Sequence, residues 1–172
     1  MTVGGTGVVV TALTLAGSMP LAEQRITFQG IGPLRVGSSL AAASRAAGEQ
    51  LVDARDKPSG TEACYHVHLK SSPSLLVMVE GGRVTRVETA DPRFRTHSGV
   101  RVGQSESWVR KAYAPYGRRL EVTRHKYDET GHYFIVRSAD RRYALVMETD
   151  GKKVVYIRAG LEPAAEYVEG CL

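Results

Sequence analysis

The chain has 172 residues, 42% of them hydrophobic and 24% charged, with a formal net charge of +5. That composition belongs to a globular protein long enough to bury a core, as one ordinary domain or two very small ones. Its Lys and Arg are scattered among acidic residues, with no basic arm and no aromatic-basic RNA-reading motif, which excludes nucleic acid as the expected partner.

In chain order, the first 22 residues hold no charged side chain. Their apolar run VVVTALTLAG, Val8–Gly17, is too short to span a bilayer and has the length of the hydrophobic stretch of an export signal. Residues 1–22 are therefore expected to form a signal-like segment, and the chain to be exported, periplasmic or secreted. Ser18 stands where a lipoprotein signal carries its acylated cysteine after LAG, so lipid anchoring is expected only if Ser18 replaces a native cysteine. The two cysteines, Cys64 and Cys171, are expected to form a disulfide in an oxidising compartment, tying the C-terminus to the middle of the chain.

From Ile26, ITFQGIGPLRVG carries Gly30, Gly32, Pro33 and Gly37, which is loop chemistry. Ser38 or Ser39 then caps a helix through LAAASRAA that ends at Gly48. Asp53–Ala63 reads as a polar loop. CYHVHL, Cys64–Leu69, alternates as a strand does, and Ser74–Thr89 reads as two strands about Gly81-Gly82.

The same order then returns. RVGQS at Arg101 matches RVGSS at Arg35. Ser105 precedes a helix whose Trp108, Val109 and Ala112 form an apolar stripe. Trp108 is expected in the core, packing helix to sheet. Arg119–Tyr127 and His132–Ser138 read as strands, and Tyr143–Gly160 as a hairpin about Asp150-Gly151. In each copy the Gly after Arg-Val is expected where a close turn into the helix admits no Cβ.

The expected fold class is α+β: two tandem helix-plus-antiparallel-meander repeats forming a helix layer on one extended antiparallel sheet. The first repeat spans 23–95 and the second 96–172, together one domain. A second copy would extend the sheet and share the core of the first.

A short strand, V-G-x-S, an amphipathic helix and a strand meander resemble the unit of the SmpA/OmlA (BamE-like) outer-membrane lipoproteins. Two such units in tandem resemble the β-lactamase inhibitor protein fold, over Ile26 to Ala159 by motif order. The HKY…GHYF stretch and the C-terminal EYVEGC are similar to a set of uncharacterised exported proteobacterial proteins. The resemblance implies a sheet face free to bind another protein, as an inhibitor of an envelope or secreted enzyme or as an envelope assembly factor. It also implies that the closing cysteine pairs with the one before the first sheet.

The densest polar-aromatic stretch is RHKYDETGHYF, Arg124 to Phe134. A cluster of Tyr and cationic groups suits recognition of an acidic or aromatic protein surface. Tyr65, His125, Lys126, Tyr127, His132 and Tyr133 are the candidate partner-binding residues. His66 and His68, two apart on a strand, project to one face, a spacing that metal sites use. A third ligand would have to come from His125, His132 or Asp91. There is no G-x-S-x-G elbow, no H-E-x-x-H and no phosphate-cradling glycine loop with a Lys, so neither an enzyme nor a cofactor is expected.

Overall fold

The computed structural model describes residues 19–54 and 63–171. The apolar run Val8–Gly17, on which the export expectation rests, and Ser18 lie outside the described residues. None of the described helices is long and apolar enough to cross a membrane.

After a 3-10 turn at Leu21–Glu23, the described residues enter a zigzag of three short strands, β1 (Arg25–Thr27), β2 (Gly30–Ile31) and β3 (Leu34–Arg35). The helix α1 (Leu40–Ala47) follows, then β4 (Leu51–Asp53), β5 (Cys64–Leu69), β6 (Ser72–Glu80), β7 (Arg83–Thr89) and the two-residue β8 (Arg95–Thr96). A second helix, α2 (Glu106–Tyr113), runs into a 3-10 segment, Ala114–Arg119. The chain closes with β9 (Leu120–Arg124), β10 (His132–Arg137), β11 (Tyr143–Thr149), β12 (Val154–Leu161) and a 3-10 turn at Ala164–Glu166.

The strands fall into two sheets. The larger has the order β4-β5-β6-β7-β12-β11-β10-β9, antiparallel at every junction, and the smaller has the order β3-β2-β1-β8. The two hairpins read from the sequence, β6–β7 and β11–β12, sit together at the middle of the larger sheet. They are joined by the register Arg158↔Glu88 and Ala159↔Val87. Gly160 is required at that seam, because a Cβ there would stand 2.2 Å from the Thr85 carbonyl oxygen.

The expected fold class is corrected by this arrangement. Among the described residues strand outweighs helix by 43% to 19%, and the two α-helices are eight residues each. They form no layer over the sheet in tandem repeats. The reason lies in how little apolar area they offer: α1 buries only Ala43, and α2 only Val109 and Tyr113. The apolar face is closed largely by the small sheet and its connections, through Ile26, Ile31, Leu34, Phe94 and Val100. These meet Val67, Val77, Val79, Val87, Phe134, Leu145, Met147 and Ile157 from the large sheet.

Locally, the two Arg-Val-Gly-x-Ser stretches act alike. A Cβ on Gly37 or Gly103 would meet nothing within 4 Å, so the turn is not too close to admit one, contrary to expectation; glycine is set there by φ of 89° and 90°, which L side chains avoid. Their N–H groups donate to the carbonyls of Val84 (2.7 Å) and Val154 (2.8 Å) at the strands that follow each hairpin turn. Ser39 and Ser105 cap the helices by accepting from the N–H of Ala42 and Trp108. Trp108 itself is 44% exposed, contrary to expectation. The buried line of α2 runs through Val109 and Tyr113, and Trp108 falls beside it, under the Lys111 ammonium 5.7 Å from its ring.

Candidate functional site

Alternation along a strand decides which candidate residues meet. On β10, His132 and Phe134 turn to the apolar core, while Tyr133 and Ile135 turn to the opposite face. On β5, Tyr65 packs against the apolar core, so it lies on the other side of the sheet from Tyr133. Five strand spacings, about 24 Å, also separate β5 from β10. The six candidates therefore do not share one face.

His125, Lys126, Tyr127 and Tyr133 do come together, at the end of the β9–β10 hairpin. The His125 Nδ1 accepts from the backbone N–H groups of Tyr127 (3.1 Å) and Asp128 (2.9 Å). With Nδ1 serving as acceptor, the ring carries its proton on Nε2 and donates it to Glu148 Oε1 at 2.9 Å. The ring also stacks on Tyr133 with centroids 4.6 Å apart. Asp128 accepts from the N–H and the hydroxyl of Thr130, and these bonds, the backbone one first, hold its carboxyl below the usual range. The loop is thus tied at both ends, leaving Tyr127 62% exposed at its tip. The Lys126 ammonium lies 4.9 Å from the Tyr127 ring centroid and 2.9 Å from Glu169. His132 faces away from this group, with its Nδ1 2.8 Å from Glu106 Oε1.

The face opposite the apolar core carries a row of charges that runs across strands. His66 Nε2 stands 2.8 Å from Glu88 Oε1, and Arg86 Nη2 stands 2.6 Å from Glu88 Oε2. Arg158 Nη2 lies 3.2 Å from Glu148 Oε2, whose other oxygen receives His125. Arg86, Glu88 and Arg158 are all under 5% exposed. Burial pushes the Glu88 carboxyl up, but His66, Arg86 and Arg158 outweigh it and leave its pKa lowered.

The C-terminal segment Glu162–Cys171 crosses this face as a strap. Arg86 Nη1 donates to the carbonyls of Ala164 and Tyr167, each at 2.8 Å. Arg137 holds the start of the strap through Glu162 (3.2 Å) and Glu166, and also reaches Glu121 on β9 (2.7 Å). The Cys64–Cys171 disulfide closes its far end, with Cα atoms 5.4 Å apart. His66 and His68 do share this face, but His66 is paired with Glu88. Among the described residues no group of three His, Cys, Asp or Glu is placed to hold a metal ion.

One feature escaped the reading of scattered charge. Residues 108–127 hold six of the chain's 23 Lys and Arg but one of its 18 Asp and Glu, so this stretch alone accounts for the net charge of +5. Arg110, Lys111, Arg118, Arg119, Arg124 and Lys126 are all exposed. A running charge count along the sequence would have found it.

No family model matches the chain, and no curated protein does. Among solved structures the chain is similar to an uncharacterised Escherichia coli protein, yfeY, with a TM-score of 0.50 at 13% identity, over 79% of this chain and 99% of that one. The likeness concerns the fold alone.

Proposed function

We propose that this chain is a non-catalytic protein-binding module that works after export, in a periplasmic or secreted setting. The observation that carries the reading is the Lys126–Tyr127 tip. A large aromatic ring and a cation stand in solvent on a loop already held by His125 and Asp128, so little ordering entropy opposes contact with a partner. The non-catalytic part is supported by the central charges, each engaged with an opposite charge beneath the strap. The Cys64–Cys171 disulfide and the apolar run Val8–Gly17 support export. The motif resemblance to envelope lipoproteins and to an enzyme inhibitor fits the same role.

The test is capture from the envelope and secreted extract of the source on the immobilised oxidised chain, compared with Lys126→Ala/Tyr127→Ala. Tyr133 is unsuitable for this comparison because it is nearly buried beneath His125. A stoichiometric partner lost in the variant is the expected result. An identical retained set on both columns would overturn the reading.

A further inference from the structure

The strand β9 is the last in the large sheet and pairs only with β10. Its hydrogen-bonding direction follows from alternation. The His125 N–H donates to the Gly131 carbonyl across the hairpin at 2.9 Å, so His125, Thr123 and Glu121 turn their backbone groups toward β10. The backbone groups of Val122 and Arg124 then point out of the sheet, and among the described residues no second strand joins them. The opposite edge is different, since β4 is three residues long.

Three cations of residues 108–127 flank this open edge. Arg119 precedes the strand and Arg124 ends it. Arg110 lies 4.8 Å from the ring of Phe134, which is the register partner of Val122, so a third cation stands beside the middle of the strand. Glu121 is the one carboxylate on β9, and Arg137 engages it at 2.7 Å. A bare edge carrying these charges repels a second copy of itself and attracts a strand of opposite charge. Charge and backbone direction together therefore select one kind of occupant.

Resting on the reading of the chain as a protein-binding module, we infer that β9 takes an extended, acidic segment of a partner protein by strand addition. Val122 and Arg124 supply backbone hydrogen bonds, and Arg110, Arg119 and Arg124 read the carboxylates. The mode is the general one in which main-chain bonds give affinity and flanking side chains give selectivity.

The probe is a fluorescent ten-residue peptide alternating Val or Thr with Glu, capped at both ends, titrated against the full oxidised chain at low and high salt. Two control peptides accompany it. One has Lys for Glu, and the other carries N-methyl groups on the amides of one edge. The expected result is saturable binding of the acidic peptide, weakened about tenfold or more by N-methylation, by Lys for Glu and by Arg119→Glu/Arg124→Glu. Hydrogen exchange at the Val122 and Arg124 amides should slow on binding. Arg124→Pro, which removes an outward-facing N–H, should lose more than Arg124→Ala.

Equal binding of the N-methylated peptide, unchanged exchange at Val122 and Arg124, or no binding of the acidic peptide would each overturn the inference. The extract capture separates this failure from that of the broader reading. A partner lost with Lys126→Ala/Tyr127→Ala but kept by Arg119→Glu/Arg124→Glu would leave a binding module that does not use β9.

Discussion

The two faces of the large sheet are built on opposite chemistry. One face is dry: Val77, Val79, Val87, Phe134, Leu145, Met147 and Ile157 meet the small sheet and the two short helices. The other buries Arg86, Glu88 and Arg158 under a strap, with Met78 and a small apolar cluster of Tyr133, Ile135, Ala144, Val146 and Ala165 beside them. Apolar contact tolerates imprecise partners, whereas a buried charge is stable only when its partner is placed to within a hydrogen bond. The strap and the strand register supply that placement.

The largest expected effect comes from freeing the strap. The disulfide closes a loop with a sequence separation of 107, for which loop-closure entropy gives about 4–5 kcal/mol. Cys64→Ser/Cys171→Ser should lower the urea midpoint accordingly. Exchange should rise at Ala165 and Tyr167 more than at core amides such as Leu145. An equal rise in both would show that the strapped face has no separate stability.

Next comes a matched pair of truncations. Phe134→Ala on the dry face should cost about 3–5 kcal/mol through a cavity. Glu88→Ala should cost a similar amount, by leaving Arg86 and His66 without their carboxylate. The faces should part company in the second step, because Arg86→Met/Glu88→Leu should cost less than Glu88→Ala alone. If the double variant is the less stable of the two, the row of charges contributes more than its own compensation.

The helix caps are a smaller test. Ser39→Ala and Ser105→Ala should each lose about 1 kcal/mol in chemical unfolding. Similar losses would confirm that the two Arg-Val-Gly-x-Ser stretches act alike.

The smallest expected effect is a pH dependence. Burial, and next the neighbouring Glu166, raise the Glu162 pKa to about 7 against the pull of Arg137. The folded chain thus keeps a proton that the unfolded chain has released. The resulting stability is complete below the ordinary value of 4.5 and is lost as pH rises through about 7. Glu162 is partly solvated, and screening reduces the effect to under about 1 kcal/mol. Unfolding midpoints at pH 5 and pH 8 should differ less in Glu162→Gln than in the native chain.

Most individual elements were legible because their signals are local. Ser39 and Ser105 read as caps, Gly81-Gly82 and Asp150-Gly151 as turns, and CYHVHL and HYFIVR as strands, all from neighbours in sequence. Trp108 was misplaced by one helical position, which a stripe of so few residues cannot resolve. The fold class was misjudged for a related reason. Two helix patterns look like a layer until their side chains are weighed, and LAAASRAA carries too little apolar area to cover a sheet. The candidate site was half legible: His125, Lys126, Tyr127 and Tyr133 meet at one hairpin end, whereas Tyr65 and His132 turn to the other face.

By itself, the sequence determined the longer strands β5, β6, β7, β9, β10, β11 and β12, the hairpin turns, the two capped helices and the Cys64–Cys171 pair, because propensity, turn chemistry and cysteine count act within a few residues or by elimination; the two- and three-residue strands β2, β3, β4 and β8, which it read as loop or passed over, are too short to carry an alternation. Only the tertiary structure decided that β7 meets β12, that Glu88 and Glu148 receive charges from other strands, and that Arg110 of α2 comes beside the open edge strand that carries Arg124. Those are contacts between residues far apart in the chain. Which of them form depends on the register of whole strands, and no short window of sequence holds that information.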